Sequence, residues 1–126
     1  MSEKVLKTDF AKFTFMDNHT VMAEANDGIN IDANKVKVAI DLIEQELPGD
    51  YGLILNRNSD YSVTPIEVYQ FFASIKRLKA IAIVRANGRD FLPNNLEKEL
   101  FGNLVEKFTS IPSAHEWMKT VFVAEE

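Results

Sequence analysis

The chain has 126 residues, of which 46% are apolar and 26% charged, and this is the size and composition of one folded globular domain. Its 14 basic residues are scattered among 19 acidic ones and the formal charge is −5, so we expect no nucleic acid partner. There is no cysteine, which excludes disulfide bonds, thiolate catalysis and zinc sites built on sulfur.

The first half of the chain predicts a β-hairpin, a helix and a buried strand. In residues 12–25, aromatic and polar residues alternate on either side of a turn at Asp17, which is typical of two antiparallel strands. Apolar residues recur at helical spacing from Val36 to Leu47, before a Pro-Gly pair, and predict an amphipathic helix. The compact apolar run Tyr51–Asn56 predicts a strand buried on both faces.

The next segment predicts two helices around a second buried strand. The residues Thr-Pro-Ile-Glu from Thr64 combine an N-cap, a proline at the first helical position and a glutamate that completes a capping box. The apolar run Ala80–Ala86 repeats the pattern of a strand buried on both faces. Three leucines at helical spacing, Leu96, Leu100 and Leu104, predict the helix that follows.

The end of the chain predicts a short strand that runs into a last helix. Residues Lys107–Ser110 have the length of a final strand, which Pro112 ends. Ser113 and Glu116 have the spacing of a capping box, so we expect them to start a helix that contains Trp117.

These elements predict a single α/β domain over residues 1–126, in the order ββαβαβαβα. Strands separated by helices pair in parallel, whereas the leading hairpin is antiparallel. We therefore expect a mixed sheet, mostly parallel with an antiparallel N-terminal hairpin, and helices that pack on it.

This pattern resembles the STAS domain, specifically the SpoIIAA-like proteins related to anti-sigma-factor antagonists. The resemblance rests on the leading hairpin, on the LILN and AIAIV strands with a helix after each, and on the closing pattern Phe-Thr-Ser … Ala-x-x-Trp-Met from Phe108. It covers a core from about Phe10 to Val121. It implies a SpoIIAA-like mixed sheet and a non-enzymatic regulatory or binding module that acts through contacts with a protein partner.

The resemblance also implies a candidate contact surface. In the antagonists, a partner kinase phosphorylates a serine in an Asp-Ser-Ser-Gly turn before a helix, and the equivalent region here is the loop from Asn56 to the start of the next helix. Ser59, Ser62 and Thr64 are the candidate phosphoacceptor or contact residues, although the Asp-Ser-Ser-Gly motif is absent. A phosphate at a helix N-terminus would be stabilised by the unpaired N–H groups there. Capping residues occupy this position in many helices that are never modified, however, which favours a simple N-cap at Thr64.

Two other groups of residues point to a small ligand as the alternative. Arg57, Arg85 and Arg89 follow the buried strands, where ligands of open α/β sheets bind, and they are candidates for an anion site. Phe72, Phe101 and Trp117 are candidates for an apolar pocket or a homodimer interface as well as for the core. SpoIIAA-like proteins without the phosphorylation motif are also likened to the CRAL-TRIO lipid-carrier fold, which implies an apolar ligand between helices and sheet.

An enzyme of an unrecognised class is the third alternative. The nucleophile, phosphate-loop and dinucleotide motifs are absent, and neither His19 nor His115 has a partner at metal-ligand spacing. We therefore expect no catalytic residue, no metal and no cofactor. The longest apolar run is far too short for a membrane span and the N-terminus is charged, so we expect a cytoplasmic protein without an integral membrane segment.

Overall fold

A mixed six-stranded sheet forms the centre of the computed structural model, which describes residues 4–57, 62–63, 65–85 and 104–122. In spatial order the strands are β1 (Lys4–Lys7), β2 (Ala11–Phe15), β3 (Thr20–Ala25), β5 (Tyr51–Asn56), β7 (Leu78–Val84) and β8 (Leu104–Phe108). A separate two-stranded parallel sheet joins β4 (Asn30–Ile31) and β6 (Ser62–Val63). The described helices are α1 (Ala33–Glu46), α2 (Pro65–Ala73) and α3 (Ile111–Phe122).

The sheet is antiparallel at its N-terminal side and parallel elsewhere. Strands β1, β2 and β3 pair antiparallel in sequence order, and β3, β5, β7 and β8 pair in parallel. The predicted α/β class, the antiparallel N-terminal hairpin and the mostly parallel sheet are therefore confirmed. Within the described ranges, no helix is long and apolar enough to cross a lipid bilayer.

Alternating side chains of the central strands build two cores on opposite faces of the sheet. Leu53 and Ile81 belong to the core that includes apolar residues of α1 and α2. Their neighbours Ile54 and Ala82 belong to the core that includes Met118 and other residues of α3. Successive side chains of a strand point to opposite faces, so helices on both sides require strands that are apolar at every position.

Gly52 allows α3 to approach the sheet closely. A Cβ atom at Gly52 would clash with the Sδ atom of Met118, which is fully buried. It would also lie 3.3 Å from the carbonyl oxygen of Ala80 on the neighbouring strand. Glycine is needed here for the space and not for an unusual backbone conformation.

Several predicted boundaries are wrong at the end of the chain. The last strand is Leu104–Phe108 and not Lys107–Ser110, so Leu104 lies in a strand and not in the preceding helix. The last helix begins at Ile111, because the Oγ atom of Ser110 accepts a hydrogen bond from the Ser113 N–H at 3.3 Å. Ser110 therefore caps the helix in place of Ser113, and the proline between them lies in the first turn, where a missing N–H costs little.

The remaining differences concern short elements and the predicted third helix. Strand β1 and the β4–β6 pair had no predicted counterpart, because none of them has a clear apolar pattern of its own. The helix predicted from Leu96 and Leu100 lies outside the described residues.

Candidate functional site

An apolar pocket lies between one face of the sheet and helices α1 and α2. Its cavity has a volume of about 70 Å³. Strands β2, β3 and β5 contribute one wall, and the two helices contribute the other. The lining residues are Phe10, Ala11, Phe13, Ala23, Ala25, Ile31, Lys35, Val36, Ala39, Ile40, Ile43, Leu53, Leu55, Arg57, Val68, Tyr69 and Phe72.

Small side chains opposite one another create the space. Ala11 of β2 and Ala25 of β3 are paired directly across the antiparallel ladder, and Phe13 of β2 is opposite Ala23. Ala39 contributes another small side chain from α1. Larger side chains at these positions would fill the volume, so the pocket exists because several alanines meet at one place.

The pocket lies toward the carboxyl ends of the parallel strands. The side chains of Leu53 and Leu55 in β5, and of Arg57 directly after it, lie on one face of the sheet, since side chains two residues apart share a face. The helix residues that line the pocket begin with Lys35 in the first turn of α1, which enters from the same edge. Ligands of open α/β sheets bind at this edge.

Among the described residues that line the pocket, Lys35 and Arg57 are the charged ones. The Lys35 ammonium lies 3.7 Å from the carboxylate of Asp32, the N-cap of α1. Asp32 accepts a hydrogen bond from the Lys35 backbone N–H at 3.0 Å. This hydrogen bond and the nearby ammonium hold the pKa of the Asp32 carboxyl below its usual value, so the carboxylate stays charged at neutral pH.

Backbone contacts hold Arg57 at the sheet edge. Its N–H donates to the carbonyl of Val84 at 2.8 Å, which continues the pairing of β5 with β7. Its carbonyl accepts a hydrogen bond from the Arg85 guanidinium. Arg57 and Arg85 are thus close together, as residues at the ends of neighbouring parallel strands, but Arg57 lines the pocket whereas Arg85 holds the Arg57 backbone.

The structure separates the aromatic candidates. Phe72 is only 4% exposed and lines the pocket from α2. Trp117 is on α3, on the other face of the sheet, where its ring centroid lies 5.6 Å from that of Phe108. Phe72 and Trp117 therefore do not share one cavity.

Most of the predicted phosphoacceptor region lies outside the described residues. Ser62 lies in β6 and pairs with Asn30 of β4. The other candidates, Ser59, Thr64, Arg89 and Phe101, lie outside the described residues.

Glu67 has a contact that the sequence did not predict. Its Oε1 atom accepts a hydrogen bond from the backbone N–H of Ala33 at 2.9 Å. The residue predicted to complete the capping box of α2 thus caps the first turn of α1, and it ties together the two helices that wall the pocket.

Both histidines lie where the β2–β3 turn meets α3. The Nε2 atom of His115 is 2.7 Å from the Oδ2 atom of Asp17, and the ring of His19 stacks on Phe122 with centroids 5.1 Å apart. Burial raises the pKa of Asp17, but the hydrogen bonds from His115 and from the His19 backbone outweigh it, and the net pKa is below the usual value. These contacts dock the hairpin turn on the helix.

The His115 ring contacts Asp17 and not the serine two residues before it, so these two side chains do not pair as a nucleophile and a base. The Oγ atom of Ser113 lies 2.9 Å from that of Ser110, in the helix cap, whereas His115 binds Asp17. Within the described ranges, no group of three or more His, Cys, Asp or Glu residues could hold a metal ion.

The sequence does not single out Lys35, and it indicates the alanines only weakly. The small residues of β2 and β3 carry a weak signal, since Ala11, Ala23 and Ala25 occupy positions where strands usually have larger apolar residues. They meet Ala39 only when β2 and β3 pair and helix α1 packs over them.

Comparisons with known proteins add no family for this chain. A scan against protein-family models gave no match, and searches of curated proteins and of solved structures gave none either. The geometry of the pocket is therefore the main basis for a functional proposal.

Proposed function

We propose that the protein is a small non-enzymatic binding module of the kind that the SpoIIAA-like resemblance implies, and that its pocket between α1, α2 and the sheet binds a small apolar molecule. The observation that carries the proposal is the cavity, which has apolar walls and lies at the ligand-binding edge of an α/β sheet. The apolar walls of the cavity are already shielded from water. An apolar ligand therefore has little water to displace when it enters.

The cavity volume limits the ligand. A volume of about 70 Å³ corresponds to roughly five to seven water-sized groups at ~10–15 Å³ each. Pockets for drug-sized ligands have roughly 300–1,000 Å³. A ligand with about five to seven buried heavy atoms fits, whereas a long acyl chain of the CRAL-TRIO type requires the helices to separate from the sheet.

Benzene provides the first test, because it is small, apolar and uncharged. In amide-resolved NMR titrations of the full chain, we expect saturable shifts at pocket residues such as Ile40 and Phe72. Ala25→Val adds two methyl groups to the pocket wall in a strand, where valine is favourable, and it should abolish the shifts while the protein remains folded. Val38→Ala, on the exposed side of α1, is the control and should leave them unchanged. No saturable shift in the wild-type protein would refute the proposal.

A contact with a protein partner is the second candidate function. It is favoured by Ile66, which is 57% exposed in the first turn of α2, next to the loop that the resemblance implies as a contact surface. Quantitative mass spectrometry of co-purified proteins can compare the wild type with Ile66→Ser and with Val38→Ser, which changes a similarly exposed side chain on α1. A partner lost only with Ile66→Ser supports this function, and identical partners for all three proteins contradict it.

A further inference from the structure

The floor of the pocket is a small flat patch of alanines. Ala11 of β2 and Ala25 of β3 are directly opposite each other, and Ala23 lies on the same face of β3, two residues before Ala25. Neighbouring strands are about 4.8 Å apart and residues two apart along a strand about 6.8 Å, so the patch measures roughly 5 by 7 Å. Larger side chains border it, since Ala23 has Phe13 on one side and Leu55 on the other. The floor therefore has about the size of one six-membered ring.

The space between this floor and helix α1 is thin. Ala39 and Ile40 of α1 line the cavity from the opposite side. Divided by the area of the floor, the cavity volume of about 70 Å³ gives a mean depth of about 2 Å. Two layers of carbon atoms in contact are about 3.5–4.0 Å apart. The cavity therefore admits one layer of atoms, which favours a flat molecule over a puckered or branched one.

Aromatic side chains form part of the wall around this space. Phe13 lies at the edge of the floor, and Tyr69 and Phe72 line the cavity from α2. The rings of Tyr69 and Phe72 already contact each other edge to face, with centroids 5.5 Å apart. Aromatic rings attract one another in this arrangement because the positive edge of one ring meets the negative face of the other. These walls favour an aromatic ring over a saturated ring of the same size.

The charged side chains of the described lining are engaged elsewhere. The Lys35 ammonium is paired with the Asp32 carboxylate at 3.7 Å, and Arg57 interacts with other residues of the chain. A charged ligand would lose its hydration on entering the cavity without gaining a partner of opposite charge there. The lining thus favours an uncharged ligand.

We infer that the pocket binds a single uncharged aromatic ring, which lies flat on the alanines of β2 and β3 and contacts Phe13 and Phe72 at its edges. This inference rests on the proposed function, since it assigns a chemical class to the ligand of the same pocket. A six-membered ring also matches the roughly five to seven atoms that the cavity volume admits.

Titrations of the full chain with benzene, cyclohexane and benzoate, followed by amide-resolved NMR at neutral pH, test the class of ligand. Cyclohexane has as many carbon atoms as benzene and more apolar surface, so hydrophobic transfer alone would favour cyclohexane. We expect the opposite order, with benzene bound about fivefold more tightly, because the puckered ring is too thick and lacks the edge-to-face contacts. Benzoate should bind at least about tenfold more weakly than benzene. Cyclohexane or benzoate bound as tightly as benzene overturns the inference.

Two variants locate the ring. Phe72→Leu and Phe13→Leu keep the walls apolar but remove an aromatic ring, and each should reduce the ratio of benzene to cyclohexane affinity at least about twofold. Phe122→Leu is the matched control, because Phe122 is equally buried but belongs to the core on the other face of the sheet, and it should leave the ratio unchanged. Thermal unfolding reports whether each variant is folded, and either pocket variant decides the test if the other does not fold. A ratio that stays at the wild-type value in the folded pocket variants overturns the assigned position of the ring.

The outcomes distinguish this inference from the proposed function. If benzene and cyclohexane both bind in the pocket and benzene has no advantage, the proposed function stands and the preference for an aromatic ring is wrong. If neither benzene nor cyclohexane binds, both the proposed function and the inference are wrong.

Discussion

The contact of Arg77 with the end of α1 provides a sharp test of what stabilises this fold. Helix α1 ends without a glycine in a left-handed conformation, since Leu47, its C-cap, is extended with φ −102° and ψ 133°. The Arg77 guanidinium takes the place of such a cap. It donates to the carbonyls of Glu44 at 3.3 Å and Gly49 at 2.8 Å, and also to that of Leu47. It also lies 5.7 Å from the ring centroid of Tyr51.

The expected cost of Arg77→Ala follows from these contacts. A hydrogen bond from a charged donor contributes about 1.5–3 kcal/mol, but roughly a third of this side chain is exposed and water replaces part of the loss. The side chain serves three carbonyls at once, so we expect the free energy of unfolding to fall by about 2–3 kcal/mol. For a chain of this size the melting temperature should fall by roughly 10 °C.

Urea unfolding monitored by circular dichroism measures this difference. Arg77→Lys should recover less than half of the loss, because one ammonium cannot serve three separate carbonyls with the geometry of a guanidinium. Lys76→Ala removes the neighbouring exposed cation and should change the free energy of unfolding by less than about 0.5 kcal/mol. If Arg77→Ala and Lys76→Ala cost the same, the guanidinium does not act as the cap of α1.

Substitutions at three further sites, Gly52, Asp17 and Glu67, test other contacts by urea unfolding. Gly52→Ala should lower the free energy of unfolding by about 1–3 kcal/mol, because its Cβ would meet the buried sulfur atom of Met118. The loss should be smaller in a Met118→Ala background, where that atom is absent, and an equal loss in both backgrounds contradicts the packing explanation. Asp17→Asn should cost up to about 1 kcal/mol at pH 7 through its contact with His115. Because the pKa of Asp17 is lowered on folding, this contribution is fully present above the unfolded value near 3.8 and is lost as the pH falls through the lower pKa of the folded protein; a difference from wild type that does not shrink between pH 7 and pH 2 contradicts this origin. Glu67→Gln should retain most of the hydrogen bond to the first turn of α1, whereas Glu67→Ala should cost about 1 kcal/mol; equal stabilities of the two variants show that the cap contributes nothing.

Local signals in the sequence determined most of the regular elements. The apolar runs of β5 and β7 indicated buried strands because helices cover both faces of the sheet, and both runs form such strands. The periodic spacing from Val36 to Leu47 indicated α1, which runs from Ala33 to Glu46. Such patterns depend on residues within one or two turns of each other, so the sequence alone displays them.

The end of the chain shows where local signals compete. Ser110 and Ser113 both match a helix cap, and the sequence does not rank them. The backbone of Leu104 can continue a helix or begin a strand, and its pairing with Ala80 of β7 decides for the strand. A strand gains its hydrogen bonds from a distant segment, so its ends depend on the tertiary structure.

The candidate site was determined by the tertiary structure. The sequence placed Arg57 at the end of a buried strand, at the edge where ligands of such sheets bind, and placed Phe72 on the helix that follows. It did not indicate Lys35, nor the cavity itself, because a cavity is volume that side chains from several segments leave empty. Ala11, Ala25 and Ala39 are far apart along the chain and become neighbours only when β2 and β3 pair and α1 covers them, and so only the folded chain has a pocket.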